Sequence, residues 1–151
     1  MNNQFNYPAI LKKQKEGGYL VQFPDFPEAI TQGETIKDAL NEAIDCLEEA
    51  IANRIEIKEC IPFPGKFKRG QYSISLHTTF VAKIALYLAM QEQKWSNTLL
   101  AKKLNCNEKE VRRLLDPHYH SKLPRIEQAL HILGKKLQIE VVSIESTSRS
   151  N

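Results

Sequence analysis

The stretch best equipped for chemistry is Leu100-Ala101-Lys102-Lys103-Leu104-Asn105-Cys106-Asn107-Glu108-Lys109-Glu110-Val111-Arg112-Arg113-Leu114. Ser96 can cap a helix running through Leu104, and Asn107 can cap a second one, with Glu110 at the capping-box position. Val111, Leu114 and Leu115 then face inward, which leaves Glu108, Lys109, Arg112 and Arg113 on the opposite face. Such a helix can read a major groove: Arg113 or Lys109 donates to guanine O6/N7, and Glu108 accepts from cytosine N4. Ser96, Asn97, Lys102 and the helix N-termini suit phosphates, and Asn107 joins this DNA-facing set. The plain alternative for Lys102, Lys103 and Lys109 is solvated surface charge.

A second set is acidic. Asp38, Glu42, Asp45 and Glu49 fall at i, i+4, i+7 and i+11, so a helix there carries one acidic stripe. The ordinary reading is a solvated helix face; the sharper one is a docking surface for a basic partner. A straight row lacks the convergent geometry that Mg²⁺ requires, so no metal is expected. His118-Tyr119-His120 is read as a loop beside the basic helix, since two histidines without Cys or carboxylate partners do not make a zinc site. Cys46, Cys60 and Cys106 are odd in number and lack redox or zinc spacing, which fits a reducing compartment.

The elements that must position these residues are legible. Asn6 to Lys13 and Tyr19 to Phe23 read as a hairpin through Glu16-Gly17-Gly18. Pro24 to Pro27 then turns the chain, and Ala29-Ile30-Thr31 is extended. Thr35 can cap a helix from about Ile36 to Arg54, with Ile36, Leu40, Ala43, Ile44, Leu47 and Ile51 covering the sheet. Ile61-Pro62-Phe63-Pro64-Gly65 precludes a helix, and Tyr72, Ile74 and Leu76 alternate as a closing strand. Helices follow over Phe80 to Gln93 and Leu123 to Leu133, the latter ending at Gly134. Leu137 to Ile144 alternates like a strand; unpaired, it is expected to meet the same strand of a second copy through Leu137, Ile139 and Val141. The predicted organisation is residues 1–76, with a Pro/Gly/Lys-rich connection over 61–71, then residues 77–145 and a frayed tail over 146–151.

Charge divides along the same line. Residues 1–60 hold six Lys/Arg against eleven Asp/Glu, and residues 61–151 hold fifteen against seven, within a net charge of +3 over 151 residues. The basic half points to nucleic acid and the acidic half to a basic protein. No apolar run approaches the ~18 residues of a membrane span, and Met1-Asn2-Asn3-Gln4 does not begin a signal peptide, so a cytoplasmic protein is expected.

Two resemblances sharpen this reading. Residues 100–114 resemble the helix-turn-helix of the Cro/phage-repressor class, in which a small Ala packs between the helices and Val anchors the second. Asn105 stands where that class prefers Gly, and Asn is the next best residue at positive φ. The segments Tyr7-Pro8-Ala9, Gly17-Gly18-Tyr19, Phe23-Pro24-Asp25-Phe26-Pro27-Glu28-Ala29 and Thr31-Gln32-Gly33-Glu34-Thr35, with the helix through Ala50, resemble the HicB family of antitoxins. This resemblance implies an α+β fold: a partial RNase H-like ββ(β)αβ domain, then an all-α helix-turn-helix domain with a C-terminal dimerisation strand. It implies an N-terminal domain that binds and masks a HicA toxin, a small basic RNA-cleaving protein with a double-stranded-RNA-binding-like fold and a catalytic His. Toxin contacts are expected around Asp25, Phe26, Glu28 and Glu34 and on the stripe at Asp38 and Glu42. Repression of its own operon through operator DNA is expected as well, with a homodimer or a higher oligomer, no cofactor and no catalytic residue. Two rivals stay open: a stand-alone repressor with a ligand- or protein-sensing first domain, and a metal-dependent RNase H-like nuclease. The latter chemistry needs several carboxylates converging on two Mg²⁺ ions, and no complete acidic set is apparent.

Overall fold

The computed structural model describes residues 5–144, which form two compact units. One holds the described residues up to Arg54 together with Cys60–Leu76 and residues 143–144; the other holds Ile55–Glu59 and His77–Val142.

In the first unit, β1 (Asn6–Lys13), β2 (Tyr19–Phe23), β3 (Phe26–Gly33) and β4 (Tyr72–Ser75) make an antiparallel sheet of order β3-β2-β1-β4. Gly17 and Gly18 turn β1 into β2 at φ values of 99° and 79°, which an L side chain resists. Strand β1 changes neighbour partway along: Asn6 to Ala9 pair with β4, and Ile10 to Lys13 pair with β2. Pro8 therefore lies where β1 has a ladder neighbour on one side only, and its missing N–H is tolerated as on an edge strand. The extended piece expected at Ala29–Thr31 is a full eight-residue strand. It begins at Phe26, directly after the two-residue turn Pro24-Asp25, with a register shift at Gln22/Phe23.

Helix α1 (Ile36–Glu56) starts where Thr35 Oγ1 accepts from the Asp38 N–H at 3.1 Å. Its fully buried line is Ala39, Ala43, Leu47 and Ile51, rotated from the expected one: Leu40 and Ile44 are half-buried and Ile36 is exposed. The cause is a close approach at the end of β3. A Cβ on Gly33 would stand 2.3 Å from the Ala39 backbone nitrogen, so strand and helix backbones meet there and position 33 admits only glycine. The buried line shares its apolar interior with Tyr7, Val21, Phe23 and Phe26 of the sheet, each worth about 1.5–3 kcal/mol when fully buried.

The second unit contains α2 (Thr78–Gln93), α3 (Asn97–Leu104), α4 (Glu108–Leu115) and α5 (Leu123–Ile132) around one core. Leu86 and Met90 of α2, Leu100 and Leu104 of α3, Val111 of α4 and Ile126 of α5 are among its buried members. Gly134, at φ 78°, ends the last helical turn as anticipated. Residues 135–144 carry no regular structure in the single chain, where among the described residues no neighbouring strand supplies a ladder. Leu137 packs on the helical core, while Ile139, Val141 and Ile144 are 60%, 93% and 97% exposed. The tail over 146–151 lies outside the described residues. No helix among the described residues is long and apolar enough to cross a membrane.

Candidate nucleic-acid interface and acidic face

The basic site is built by three local devices. Ser96 Oγ accepts from the Leu99 N–H at 3.1 Å and starts α3; Asn107 Oδ1 accepts from the Glu110 N–H at 2.9 Å and starts α4. Each such cap contributes about 1 kcal/mol. Between them Asn105 takes φ 57°, ψ 47°, the left-handed conformation that bends one helix sharply into the next. Ala101 and Val111 are buried where the two helices meet the core. The outcome is a helix, a short turn and a helix, with Lys102, Lys103, Lys109, Arg112 and Arg113 all exposed.

The eight residues assigned to DNA are thereby gathered on α3, α4 and their caps. Ser96, Asn107 and Glu108 are exposed and Asn97 is half-buried, but the polar groups of three of them have structural tasks. Ser96 and Asn107 cap, and Glu108 accepts from the Thr98 hydroxyl while standing 3.7 Å from Arg112. Glu110 is bound by Arg125 at 2.9 and 3.1 Å, which ties the first turn of α4 to α5. The Arg113 guanidinium lies 5.2 Å from the centroid of the Tyr119 ring, so the loop Asp116–Ser121 supports it. His118 and His120 are exposed in that loop, and no group of metal-ligating residues occurs among the described residues.

The residue that sequence reasoning missed is Lys83. It sits on the inward face of α2, is 1% exposed, and donates to the carbonyls of Arg113, Asp116 and Tyr119 and to Ser121 Oγ. Burial lowers its pKa from 10.5 to about 8, with Asp116 acting the other way. Its signal was present: Phe80, Lys83, Ile84 and Tyr87 share one helical face, so a lysine interrupts an otherwise apolar stripe.

The acidic face divides differently. Phe26 is fully buried, edge-on to Tyr7 at 5.1 Å with the Arg54 guanidinium 4.7 Å above its ring, so the sequence assignment of Phe26 as a toxin contact is corrected to a core role. Glu28 makes a two-point pair with Arg54 at 2.6 and 2.8 Å, and Arg54 also donates to the Cys60 carbonyl. Those hydrogen bonds hold the Glu28 carboxyl below its ordinary range. Asp25 accepts from the Gly65 N–H at 3.0 Å and pins the connection over 61–71 beside the β2–β3 turn. Tyr7 donates to the Pro62 carbonyl at 2.8 Å, and burial raises its phenol far above the ordinary range. Glu34, Asp38 and Glu42 are exposed, as are Asp45 and Glu49 farther along α1.

Comparison with known proteins spans both units. Residues 6–85 match the family model described as HicB-like antitoxin of bacterial toxin-antitoxin system. Over 136 residues the chain is 33% identical to Antitoxin HicB of Escherichia coli (strain K12), covering 90% of this chain and 99% of that one. Antitoxin HicB 1 of Photorhabdus laumondii is 33% identical over 135 residues, covering 89% of this chain and 86% of its own. Antitoxin HicB of Pseudomonas fluorescens is 28% identical over 138 residues, with coverages of 91% and 94%.

Proposed function

The chain belongs to the HicB antitoxin family, a non-enzymatic component of toxin-antitoxin systems, and from that premise we propose that it neutralises a HicA-type RNA-cleaving toxin and represses its own operon. The first unit, a four-stranded antiparallel sheet with a helix, presents Glu34, Asp38 and Glu42 for a basic partner; opposite charge speeds encounter and makes association salt-sensitive. The second unit binds operator DNA through α4. The observation that carries this half is the sequence of devices Ser96 cap, left-handed Asn105 and Asn107 cap, which leaves Lys109, Arg112 and Arg113 exposed on one face of α4. Lys109, Arg112 and Arg113 read bases or phosphates, and Lys102 and Asn97 meet the backbone.

Two copies act together. Exposed Ile139 and Val141 form an apolar segment that no strand pairs with among the described residues, and its pairing in a homodimer sets two α4 helices about 34 Å apart for a palindromic site. Co-purification with the product of an adjacent gene encoding a small basic protein, and footprinting on the DNA upstream of its own gene, test the two halves separately. A chain that binds neither would leave the family membership intact and remove this division of labour.

A further inference from the structure

Lys83 is a costly residue for a helical core. An ammonium ion held away from water needs compensation, and a methionine would fill the same space without it. Its Nζ finds that compensation in one place: the carbonyl oxygens of Arg113 at 2.9 Å, Asp116 at 2.6 Å and Tyr119 at 2.7 Å, and Ser121 Oγ at 2.9 Å. Ser121 Oγ in turn donates to the Arg113 carbonyl at 3.3 Å. The Arg113 carbonyl is in the last turn of α4 and Asp116 is its C-cap, so the cation meets orphan carbonyls at the negative end of a helix. The other two acceptors lie in the loop that follows.

That loop carries Tyr119, whose ring faces both the Lys83 ammonium, 5.8 Å from its centroid, and the Arg113 guanidinium. A chain of contacts therefore leads from the core to the surface: Lys83 fixes the backbone from Arg113 to Ser121, that backbone places the Tyr119 ring, and the ring supports Arg113. A base-reading side chain must be held to within about 0.5 Å, and a long exposed arginine is not so held by its own helix. We propose that Lys83 is a positioning residue for DNA recognition, which sets the C-terminal end of α4 and, through Tyr119, the direction of the Arg113 guanidinium. This rests on the helix-turn-helix reading above and adds to it a residue that touches no DNA.

The test uses the full chain and a duplex that it selects from a randomised library, compared with an unselected duplex of the same length. Lys83→Met is expected to lower affinity for the selected duplex about tenfold, the scale of one misplaced bidentate contact, with unselected duplex bound as before. In an Arg113→Ala background the same substitution should cost nothing further, because both act through one guanidinium. The Arg113 side-chain N–H resonance should also lose its ring-current shift. A folded Lys83→Met chain that keeps its selectivity, or losses that add, would overturn the proposal. If Lys83→Met does not fold, Tyr119→Leu carries the test at a 44% exposed position: selective loss supports the proposal, and unchanged selectivity overturns it. A full chain that selects no duplex at all overturns the helix-turn-helix reading, and the proposal with it, before any variant is compared.

Discussion

Arg54 in the first unit and Lys83 in the second are both cations turned toward the protein, and they are compensated by opposite means. Arg54 meets a full negative charge, Glu28, in a fork whose two side chains stay 18% and 45% exposed. Lys83 meets three carbonyl dipoles and a hydroxyl at 1% exposure. The pair near the surface is a clasp between β3 and α1 that water partly screens, worth no more than about 1 kcal/mol. The buried ammonium gathers a segment of backbone that would otherwise have unsatisfied acceptors. Arginine suits the first task because its planar fork matches a carboxylate; lysine suits the second because three donors on one point can serve several carbonyls at once.

The sharpest way to separate the units is at Gly33. Its substitution by alanine drives a Cβ into the Ala39 backbone, and neither backbone can yield without parting β3 from α1. A loss of about 3 kcal/mol or more is expected, with loss of toxin neutralisation, measured by thermal unfolding and a growth-arrest rescue assay. Binding of DNA by the second unit should survive, and its disappearance would show that the two units do not divide the work.

Next in size is assembly. Replacing Ile139 and Val141 together with glutamates places charges on the exposed apolar segment proposed to pair in a homodimer. Sedimentation should show a folded monomer, and operator affinity should fall as the second half-site is lost; an unchanged dimer would move the interface elsewhere.

Smaller effects distinguish bases from backbone. Arg113→Ala should cost about 1–3 kcal/mol at one base position in each half-site, and Lys102→Ala should weaken all sequences alike while reducing the salt slope by about one. Competition binding at several salt concentrations reads both. Equal loss on selected and unselected DNA in Arg113→Ala would assign it to phosphate.

The smallest effect is acid sensitivity at Glu28. Its folded pKa lies below the ordinary 4.5, so its pairing stabilises the fold above that value and the contribution is lost as pH falls through the folded pKa. With the carboxylate partly exposed, the difference between the unmodified chain and Glu28→Gln should stay under about 1 kcal/mol near neutral pH and vanish in acid, by urea titration.

The features that were legible in the amino-acid order are those fixed within a few residues. The Ser96 and Asn107 caps, the bend at Asn105 and the glycine hairpin each need only their neighbours. Phe26 was misplaced because Pro24 to Pro27 reads as an exposed turn, whereas the turn has two residues and the register shift beside it aims the ring inward. Glu28 looked available because its partner, Arg54, is 26 residues away. Lys83 lay within a recognisable stripe, but its acceptors are backbone atoms, which leave no mark on residue type. The segment Leu137–Ile144 has a strand's alternation, but among the described residues no strand lies beside it, and alternation alone does not name a partner.

The change of partner along β1 also imposes an order in time. Asn6 is matched with Ser75, so the first half of the strand has no mate until about seventy further residues, the span between the two, have been synthesised. During that interval it is an open edge, and distant pairings of this kind form slowly. Pro8, by withholding a donor in the middle of that half, blunts the template on which another growing chain could assemble.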